Sequence, residues 1–294
     1  MASVEKKKIF HPEDYEEEFD PEAYLQFYYS SKALDDGTRL SLFSLPMFAH
    51  IIRQKLPEDK RVSLIDVGAG PTVYSAISFR NIVKRVYLTD FVDKSLTMLE
   101  DWLYARTPFS WEKAIKVIAR TEGSHLKNEK EINDIEEEAR KVVENGGIYK
   151  ADVHTDAVLV LDPKDPEPKD KQFDIVVSVF CLESACSTHE EYISSLKNMV
   201  SLLRPGGYLV LGSVIDDVIY NSGLSQVGNS KLFSLLNLSE EFIEECFAEE
   251  HMDMASLHKY PRGDYININK GNFRYSLPQD GVAFFLVAKG HSKK

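Results

Sequence analysis

The chain has 294 residues, of which 43% are hydrophobic and 28% are charged, as in a folded protein with one large α/β domain or two small ones. Its formal net charge of −12 argues against general nucleic-acid binding, which needs clustered Lys and Arg. No apolar run reaches the roughly 18 residues of a membrane span. The first ten residues, MASVEKKKIF, lack the apolar segment of a signal peptide. The three cysteines have no CxxC spacing and the eight histidines form no ligand motif, so we expect a cytoplasmic protein without disulfides or metal.

Two helices are predicted near the N-terminus. In the stretch FDPEAYLQFYYSS, Asp20 suits the N-cap and Pro21 suits the first helical position, which predicts a helix to about Ser31. The stretch RLSLFSLPMFAHIIRQKL has a helical period, with a kink or a restart expected at Pro46. We assign residues 1–57 to a helical cap and residues 58–294 to a core that forms one structural unit.

Strands and helices then alternate along the chain. The predicted strands are VSLIDVGAG, RVYLTD, GIYKADV, FDIVVSVFCLE (173–183), RPGGYLVLGS (204–213) and VAFFLVAKG (282–290). The predicted helices are 72–82, 95–104, NEKEINDIEEEARKVVE, 189–203 and SEEFIEECFAEE, with loops at 162–172 and after residue 213. Repeated βα units predict a Rossmann-like α/β fold, with a mainly parallel sheet and helices on both faces.

The turn after the first core strand, Gly68-Ala69-Gly70, is the first candidate ligand site. In open α/β sheets, ligands bind beyond the carboxyl ends of the strands, where the strand order reverses. A dinucleotide fingerprint would need a third glycine where the chain has Val73, and Pro71 directly follows the second glycine. A Walker loop would need a Gly-Lys-Ser/Thr sequence, which is absent. The turn therefore disfavours a pyrophosphate ligand.

Acidic residues end the next two strands. Asp90 lies 20 residues after Gly70, where a carboxylate can accept hydrogen bonds from both ribose hydroxyls. Asp152 and Val153 end the following strand and offer a polar contact and an apolar wall to an adenine. Glycines, a ribose acid and an acid–apolar pair predict a nucleoside site without a phosphate cradle. S-adenosylmethionine fits this pattern, because it has adenine and ribose, a sulfonium that carboxylates and aromatic rings attract, and no phosphates.

The chain resembles the nicotinamide, phenylethanolamine and indolethylamine N-methyltransferases. The matching stretches run in family order from about residue 10 to residue 290: DPEAYLQFYYSS, LIDVGAGPTVYS, LTDFVDKSLTMLEDWL, FSW, KADV, FCLESAC and LLRPGGYLVLGS. The resemblance implies a seven-stranded class I methyltransferase core with an N-terminal helical lid. It also implies an S-adenosylmethionine-dependent enzyme that methylates a nitrogen of a small molecule. From the charge and the lack of an apolar span we expect no nucleic-acid or membrane partners, and we expect a monomer.

The resemblance also implies roles for individual residues. The residues implied to contact the cofactor are Tyr24, Tyr29, Gly68, Gly70, Thr72, Tyr74, Asp90, Phe91, Ser95, Asp152, Val153 and Val179. Those implied to lie toward the acceptor are Tyr28, Ser213 and Tyr220. From spacing alone, Tyr24 and Tyr28 share a helix face, which is also typical of core aromatic residues. Hydroxyl groups of buried tyrosines need partners, which a polar ligand would supply.

The acceptor side departs from the family pattern. Ser213 occupies the position where the family has an acidic residue that anchors the acceptor, and Leu235 falls near a serine position of the nicotinamide branch. Ser95 stands for Asn and Val179 for Thr on the cofactor side. No catalytic residue is assigned, and Glu183 and Asp217 are the candidates for taking a proton from an ammonium acceptor.

The predicted reaction is a direct displacement, in which a nitrogen lone pair of a nicotinamide-like or arylalkylamine acceptor attacks the sulfonium methyl group. The first alternative is a methyltransferase-like protein that binds the cofactor but has lost or altered its catalysis, which the missing acid at Ser213 would explain. The second is an NAD-dependent oxidoreductase, which Pro71 and Val73 disfavour.

Overall fold

The computed structural model of the chain describes residues 8–36, 40–164, 166–224, 230–261 and 281–289. The strands are β1 (Ile9–Phe10), β2 (Ser63–Val67), β3 (Arg85–Asp90), β4 (Gly147–Ala151), β5 (Leu159–Val160), β6 (Phe173–Val179), β7 (Leu203–Ile215), β8 (Ile219–Leu224), β9 (Ser230–Ser234), β10 (Met252–Pro261) and β11 (Gly281–Lys289). The helices are α1 (Tyr15–Glu18), α2 (Pro21–Tyr29), α3 (Ser31–Asp36), α4 (Ser41–Lys55), α5 (Tyr74–Phe79), α6 (Asp93–Leu103), α7 (Glu112–Thr121), α8 (Glu129–Gly146), α9 (Leu182–Ala185), α10 (His189–Ser201) and α11 (Glu240–Glu249). In these ranges, no helix combines the length and the apolar character that crossing a bilayer requires.

The central sheet has the strand order β10-β11-β7-β6-β2-β3-β4-β5. Strands β4, β3, β2, β6 and β7 run parallel, and β11 runs antiparallel to both of its neighbours. The strand order reverses between β2 and β6, so the carboxyl ends of these two strands flank the switch point where ligands bind in such folds. The predicted Rossmann-like sheet is confirmed, and the two-residue β5 adds an eighth strand antiparallel to β4.

The sheet is buried on both faces. One face packs against α4, α5, α7 and α8, and the other packs against α10 and α11. The central strands β2 and β6 are buried along their whole length, which explains their continuous apolar sequences. Helix α4 runs without a restart through Pro46, and the side chains of Leu42, Leu45 and Phe48 belong to the core of the first face.

Three predictions about the elements were wrong or incomplete. The predicted strand 173–183 ends at Val179, because Phe180 has a left-handed backbone (φ 60°) and α9 begins at Leu182. The stretch after residue 213, expected to be a mixed loop, continues β7 to Ile215 and then forms β8 and β9. Strands β1, β9 and β8 form a second, three-stranded sheet. Strand β10 and helix α7 were not predicted.

Candidate active site

A cavity of about 860 Å³ lies beyond the carboxyl ends of the central strands. Its floor comes from the turns after β2, β3, β4 and β6, and its roof from the segment before α3 together with the start of β8. Most of the predicted site residues line it: Tyr24, Tyr28, Tyr29, Gly68, Gly70, Tyr74, Asp90, Phe91, Asp152, Val153, Val179, Glu183, Asp217 and Tyr220. Thr72, Ser95 and Ser213 are buried outside its lining.

At Gly68, the glycine turn lies so close to the chain after β6 that a side chain would have no room. Gly68 has φ 76°, and a Cβ there would lie 2.3 Å from the sulfur of Cys181. The backbone N–H groups of Gly68 and Ala69 both donate to the carbonyl of Thr89, at 3.0 and 2.8 Å. The Thr72 hydroxyl donates to the carbonyl of Ala69 at 2.7 Å. Thr72 therefore stabilises the turn through this hydrogen bond, from a buried position outside the cavity lining.

Asp90 is fixed by backbone donors on both of its oxygens. Its Oδ2 accepts from the Gly70 N–H at 2.8 Å and its Oδ1 from the Val92 N–H at 2.9 Å. Burial raises the pKa of this carboxyl to about 6, although these two hydrogen bonds and the nearby Ser95 hydroxyl act to lower it. A carboxylate held in this way can still accept ribose hydroxyls with its remaining lone pairs.

The end of the cavity after β4, where the sequence predicts the adenine, combines a short turn with apolar walls. The Oδ1 of Asp152 accepts from the backbone N–H of His154 at 2.9 Å, which fixes the turn after β4. Val153 and Val179 line the cavity and are buried, whereas Phe91 is 45% exposed. Apolar side chains around one carboxylate suit a flat heterocycle with an exocyclic amine.

The tyrosines of α2 form part of the roof. Asp20 caps the helix by accepting from the Ala23 N–H at 2.9 Å, as predicted, and Pro21 begins it. The ring centroids of Tyr24 and Tyr28 are 4.8 Å apart, and the hydroxyl of Tyr28 donates to the carbonyl of Asn221 at 2.6 Å. Tyr24 and Tyr28 therefore join the cap to β8 and line the cavity, while they also pack against the main core.

Tyr29 and Tyr74 close the roof on the side of the glycine turn. Their ring centroids are 5.7 Å apart, and Tyr29 also lies 5.8 Å from Trp111 between ring centroids. Burial raises the pKa of the Tyr74 phenol well above its usual value. Tyr74 therefore faces the cavity as a neutral aromatic group, with the ring of Tyr29 beside it.

The end of the cavity near β8, where the sequence predicts the acceptor, contains a buried carboxyl group beside a pair of phenols. Glu183 is 1% exposed, and its Oε1 accepts from the Val214 N–H at 2.7 Å. Burial raises the pKa of Glu183 to about 7. The hydroxyls of Tyr15 and Tyr220 are 2.7 Å apart, and the charge of Glu183 raises the Tyr15 pKa in addition to the larger effect of burial. Asp217 also lines the cavity, and its Oδ1 accepts from the backbone N–H of Val218 at 2.8 Å.

Some lining residues were not identified from the sequence. Tyr15 is one of them, because nothing in HPEDYEEEF distinguishes it from an exposed helical tyrosine. Phe180 is another, since the predicted strand ran through it. Asn221 falls in the stretch expected to be a loop. Knowledge that β1 pairs with β9 would have placed Tyr15 and Asn221 near the cavity. That pairing joins residues more than 200 positions apart, so the sequence alone does not reveal it.

The described part of the lining is acidic and contains no Lys or Arg. Its carboxylates are Glu13, Glu16, Asp90, Asp152, Glu183, Glu191 and Asp217. Carboxylates and aromatic faces attract a cation, so this lining fits the sulfonium of S-adenosylmethionine and does not fit phosphates. Within the described residues, no group of three or more His, Cys, Asp or Glu is arranged to hold a metal ion.

Comparisons with known proteins identify the family of the chain. The profile of the NNMT/PNMT/TEMT family matches residues 7–290. The nicotinamide N-methyltransferase of Homo sapiens is 31% identical over 237 residues, which cover 79% of this chain and 81% of that protein. The one from Caenorhabditis elegans is 30% identical over 71% of this chain and 74% of its own length. The indolethylamine N-methyltransferase of Oryctolagus cuniculus is 25% identical over 94% of this chain and 95% of its own length.

Solved structures show the same fold at low sequence identity. An S-adenosylmethionine-dependent methyltransferase from Clostridium acetobutylicum has a TM-score of 0.51 and 11% identity, covering 91% of this chain and 97% of that one. The CcbJ methyltransferase from Streptomyces caelestis has the same TM-score and 12% identity, covering 93% of this chain and 100% of that one. The family match removes the oxidoreductase alternative. The chain belongs to the NNMT/PNMT/TEMT family of S-adenosylmethionine-dependent N-methyltransferases, as its sequence predicts.

Proposed function

We propose that this enzyme transfers a methyl group from S-adenosylmethionine to a nitrogen of a small amine or N-heterocycle, and that Glu183 faces that nitrogen. The observation that carries the proposal is the buried Glu183 carboxyl at the acceptor end of a cavity that lacks Lys and Arg in its described lining. Such a lining favours a neutral or cationic acceptor of the nicotinamide-like or arylalkylamine kind and disfavours an anionic one.

The same geometry supports a placement of the cofactor in the other half of the cavity. Asp90 would hold the ribose, and Asp152, Val153 and Val179 would enclose the adenine. Tyr24, Tyr29 and Tyr74 would surround the methionine end, with the Gly68–Gly70 turn beneath it. When bound, S-adenosylmethionine supplies the methyl group to be transferred.

Protein residues would contribute alignment, exclusion of water and one proton acceptor. Holding an acceptor nitrogen in line with the methyl group can lower the barrier by roughly 7–11 kcal/mol. A neutral N-heterocycle needs no base. An ammonium acceptor must first lose a proton to expose its lone pair, and a carboxylate with a pKa of about 7 is suited to receive it. Tyr15, Tyr28 and Tyr220 would surround the acceptor, with Asp217 as the second candidate base.

The test is turnover of methyl-labelled cofactor against a panel of amines and N-heterocycles. We expect methylation of at least one of them, with Glu183→Gln reducing kcat/KM by about 10²–10⁴-fold for an ammonium acceptor. Glu144→Gln, which changes an exposed glutamate on α8, is the matched control. Binding of S-adenosylhomocysteine without turnover across the panel would replace this proposal with the alternative of lost or altered catalysis.

We also propose that residues 1–57 act as a lid on the 58–294 core, and that the enzyme is a cytoplasmic monomer without nucleic-acid partners. The roof tyrosines of α2 support the lid, and the net charge of −12 is unfavourable for binding nucleic acid. If residues 1–57 act as a lid, we expect hydrogen exchange in α1 and α2 to become slower once S-adenosylhomocysteine is bound. Light scattering must give the mass of one chain, and a larger mass would exclude the monomer.

A further inference from the structure

Three buried side-chain oxygens near the acceptor end make no direct hydrogen bond. They are Oε2 of Glu183, the hydroxyl of Tyr192 and Oγ of Ser213. The three residues are at most 1% exposed, so bulk water does not satisfy them. Buried polar atoms in native proteins are paired with few exceptions, and an enclosed water molecule is a common partner.

The three oxygens occupy one region of the fold. Along β7, Ser213 alternates with the residues that face the first core and shares its face with Leu211 and Ile215, which pack on the side of α10. Tyr192 of α10 belongs to that same core cluster. Burial raises the pKa of Tyr192, the nearby charge of Glu183 raises it further, and the Ser213 hydroxyl, which lies close to the phenol without reaching hydrogen-bond geometry, lowers it. Tyr192 therefore lies near both of the other groups.

The backbone of β7 connects Glu183 to the same region. The Oε1 of Glu183 is bound to the N–H of Val214, the residue next to Ser213, at 2.7 Å. Val214 lines the cavity, and Ser213 points to the opposite face. Glu183 thus separates the acceptor end of the cavity from the hydroxyl pair behind it.

We propose that Tyr192 and Ser213 are positioning residues that hold Glu183, through one enclosed water molecule shared by the three unpartnered oxygens, ready to accept the acceptor's proton. This inference rests on the proposed role of Glu183 at the acceptor nitrogen. It moves Ser213 from a predicted acceptor contact to a support behind the carboxyl group.

The chemistry of the three groups suits an enclosed water. Such a molecule needs two to four polar partners, and this region offers three. The water can donate to the carboxylate of Glu183 and accept from a hydroxyl of Tyr192 or Ser213. A donor to the carboxylate favours its ionised form, whereas an acidic side chain at position 213 would place a second negative charge nearby and disfavour it.

The charge of Glu183 acts on four other titratable groups, which stay neutral near pH 7. The carboxyl groups of Asp217 and Glu191 also line the same cavity. Of the four groups, Tyr15 faces Glu183 from α1, Cys181 and Cys186 flank α9, and Tyr192 faces it from α10. Burial raises the pKa of all four groups, to about 11 for Cys186. Among Glu183 and these four groups, Glu183 is therefore the one that titrates near neutral pH.

The test measures the titration of Glu183 in Tyr192→Phe and Ser213→Ala. An infrared difference spectrum between each protein and its Glu183→Gln counterpart isolates the carboxyl band and follows it across pH without turnover. We expect both variants to move the Glu183 midpoint upward by about one pH unit, because each loses part of the donor chain to the carboxylate. The acid limb of kcat/KM should shift equally, which lowers kcat/KM about tenfold below the midpoint.

Matched controls separate this effect from packing. Ser63→Ala removes another fully buried serine hydroxyl without a hydrogen-bond partner, at the opposite end of the strands. Tyr149→Phe removes a phenol that donates to the carbonyl of Pro166. Both should leave the Glu183 midpoint unchanged.

The outcomes distinguish this inference from the proposed function. A Glu183 midpoint in Tyr192→Phe and Ser213→Ala equal to that of the controls overturns the inference, whatever the turnover. A shifted midpoint without methylation of any acceptor sustains the positioning of Glu183 and overturns the proposed function instead.

Discussion

Asp90 illustrates how a single carboxylate organises the cofactor end. Its two oxygens accept from Gly70 and Val92, so the glycine turn and the turn after β3 are tied together before any ligand binds. Such pre-organisation reduces the conformational cost of binding. Burial raises the pKa of the carboxyl to about 6, so the group that would meet the ribose is ionised at neutral pH and loses its charge under mildly acidic conditions.

We predict that Asp90→Asn weakens the binding of S-adenosylhomocysteine about 10–100-fold, because an amide cannot accept on both sides. In the parent, affinity should fall as the pH decreases through about 6, since protonation removes one acceptor. Titration calorimetry measures both effects. Asp93→Asn, which changes an exposed carboxylate bound to Lys150, is the control. An Asp90→Asn protein with parental affinity would exclude the ribose role.

The two glycines of the turn differ in what a side chain would meet. We predict that Gly68→Ala lowers the free energy of unfolding by about 2–5 kcal/mol, because it combines left-handed strain with a clash against Cys181. Gly70→Ala should cost about 1–2 kcal/mol, because its Cβ would enter open space and only the backbone strain remains. Urea denaturation compares the two variants. Equal losses would show that the contact with Cys181 is relieved at little cost.

At the scale of elements, the roof of the cavity is assembled from two distant segments. Strand β1 pairs with β9, and the ring of Phe233 lies 5.4 Å from Phe10 and 4.4 Å from Tyr15 between centroids. The ammonium of Lys231 donates to the carbonyl of Glu18 at 2.6 Å. The N-terminal segment and the β8–β9 hairpin therefore form one small core over the cavity.

We predict that Phe233→Ala loosens both segments of the roof together. Loss of a fully buried phenylalanine costs about 3–5 kcal/mol, and here the cost falls on the small roof core. Hydrogen exchange should accelerate in β1, β8 and β9 at once while β2 and β3 remain protected. Phe247→Ala, in the core beneath α11, provides the comparison, because it should leave the roof's relative protection unchanged. Independent responses of β1 and β9 would contradict a shared roof.

Prediction from sequence succeeded where local pattern and burial coincide. The β2 and β6 strands are continuous apolar runs because both sides are covered, and the capping of α2 is local. The hairpin of β8 and β9 was missed because its sequence mixes polar and apolar residues without a regular alternation, and the third strand of its sheet, β1, lies more than 200 residues away in sequence. The sequence also did not show which face of the sheet the Ser213 side chain occupies. The predicted strand ended at Ser213, whereas β7 continues to Ile215 and places Ser213 on the same face as Leu211 and Ile215. Contacts between distant segments decide these features, and one sequence does not show them.

At the scale of the whole molecule, the carboxyl ends and the amino ends of the strands have different roles. The carboxyl ends of the strands carry the cavity, whereas a buried ion cluster ties the amino ends of β3 and β7 to the loop before β6. Asp170 accepts from Arg85 at 2.6 and 2.9 Å, from Arg204 at 3.0 Å and from Tyr87 at 2.9 Å. Burial alone would raise the pKa of Asp170, but the bonds from Arg85 and Tyr87 lower it overall.

We predict that Asp170→Asn lowers the free energy of unfolding by about 1.5–3 kcal/mol, because it leaves Arg85 without a compensating charge, whereas Arg204 keeps its ion pair with Asp174. The affinity for S-adenosylhomocysteine should be unchanged, since the cluster lies at the amino ends of the strands and the cavity lies at their carboxyl ends. Because the pKa of Asp170 is lower in the folded state, its ionised carboxylate stabilises the fold at pH values above the unfolded pKa of about 3.9. This stabilisation is lost as the pH falls through the folded pKa. The difference between variant and parent should therefore shrink in acid. Denaturation from pH 3 to pH 7 tests this, with Asp101→Asn, in an exposed pair with Arg106, costing about 0–1 kcal/mol. A constant difference across pH would assign the loss to packing rather than to charge.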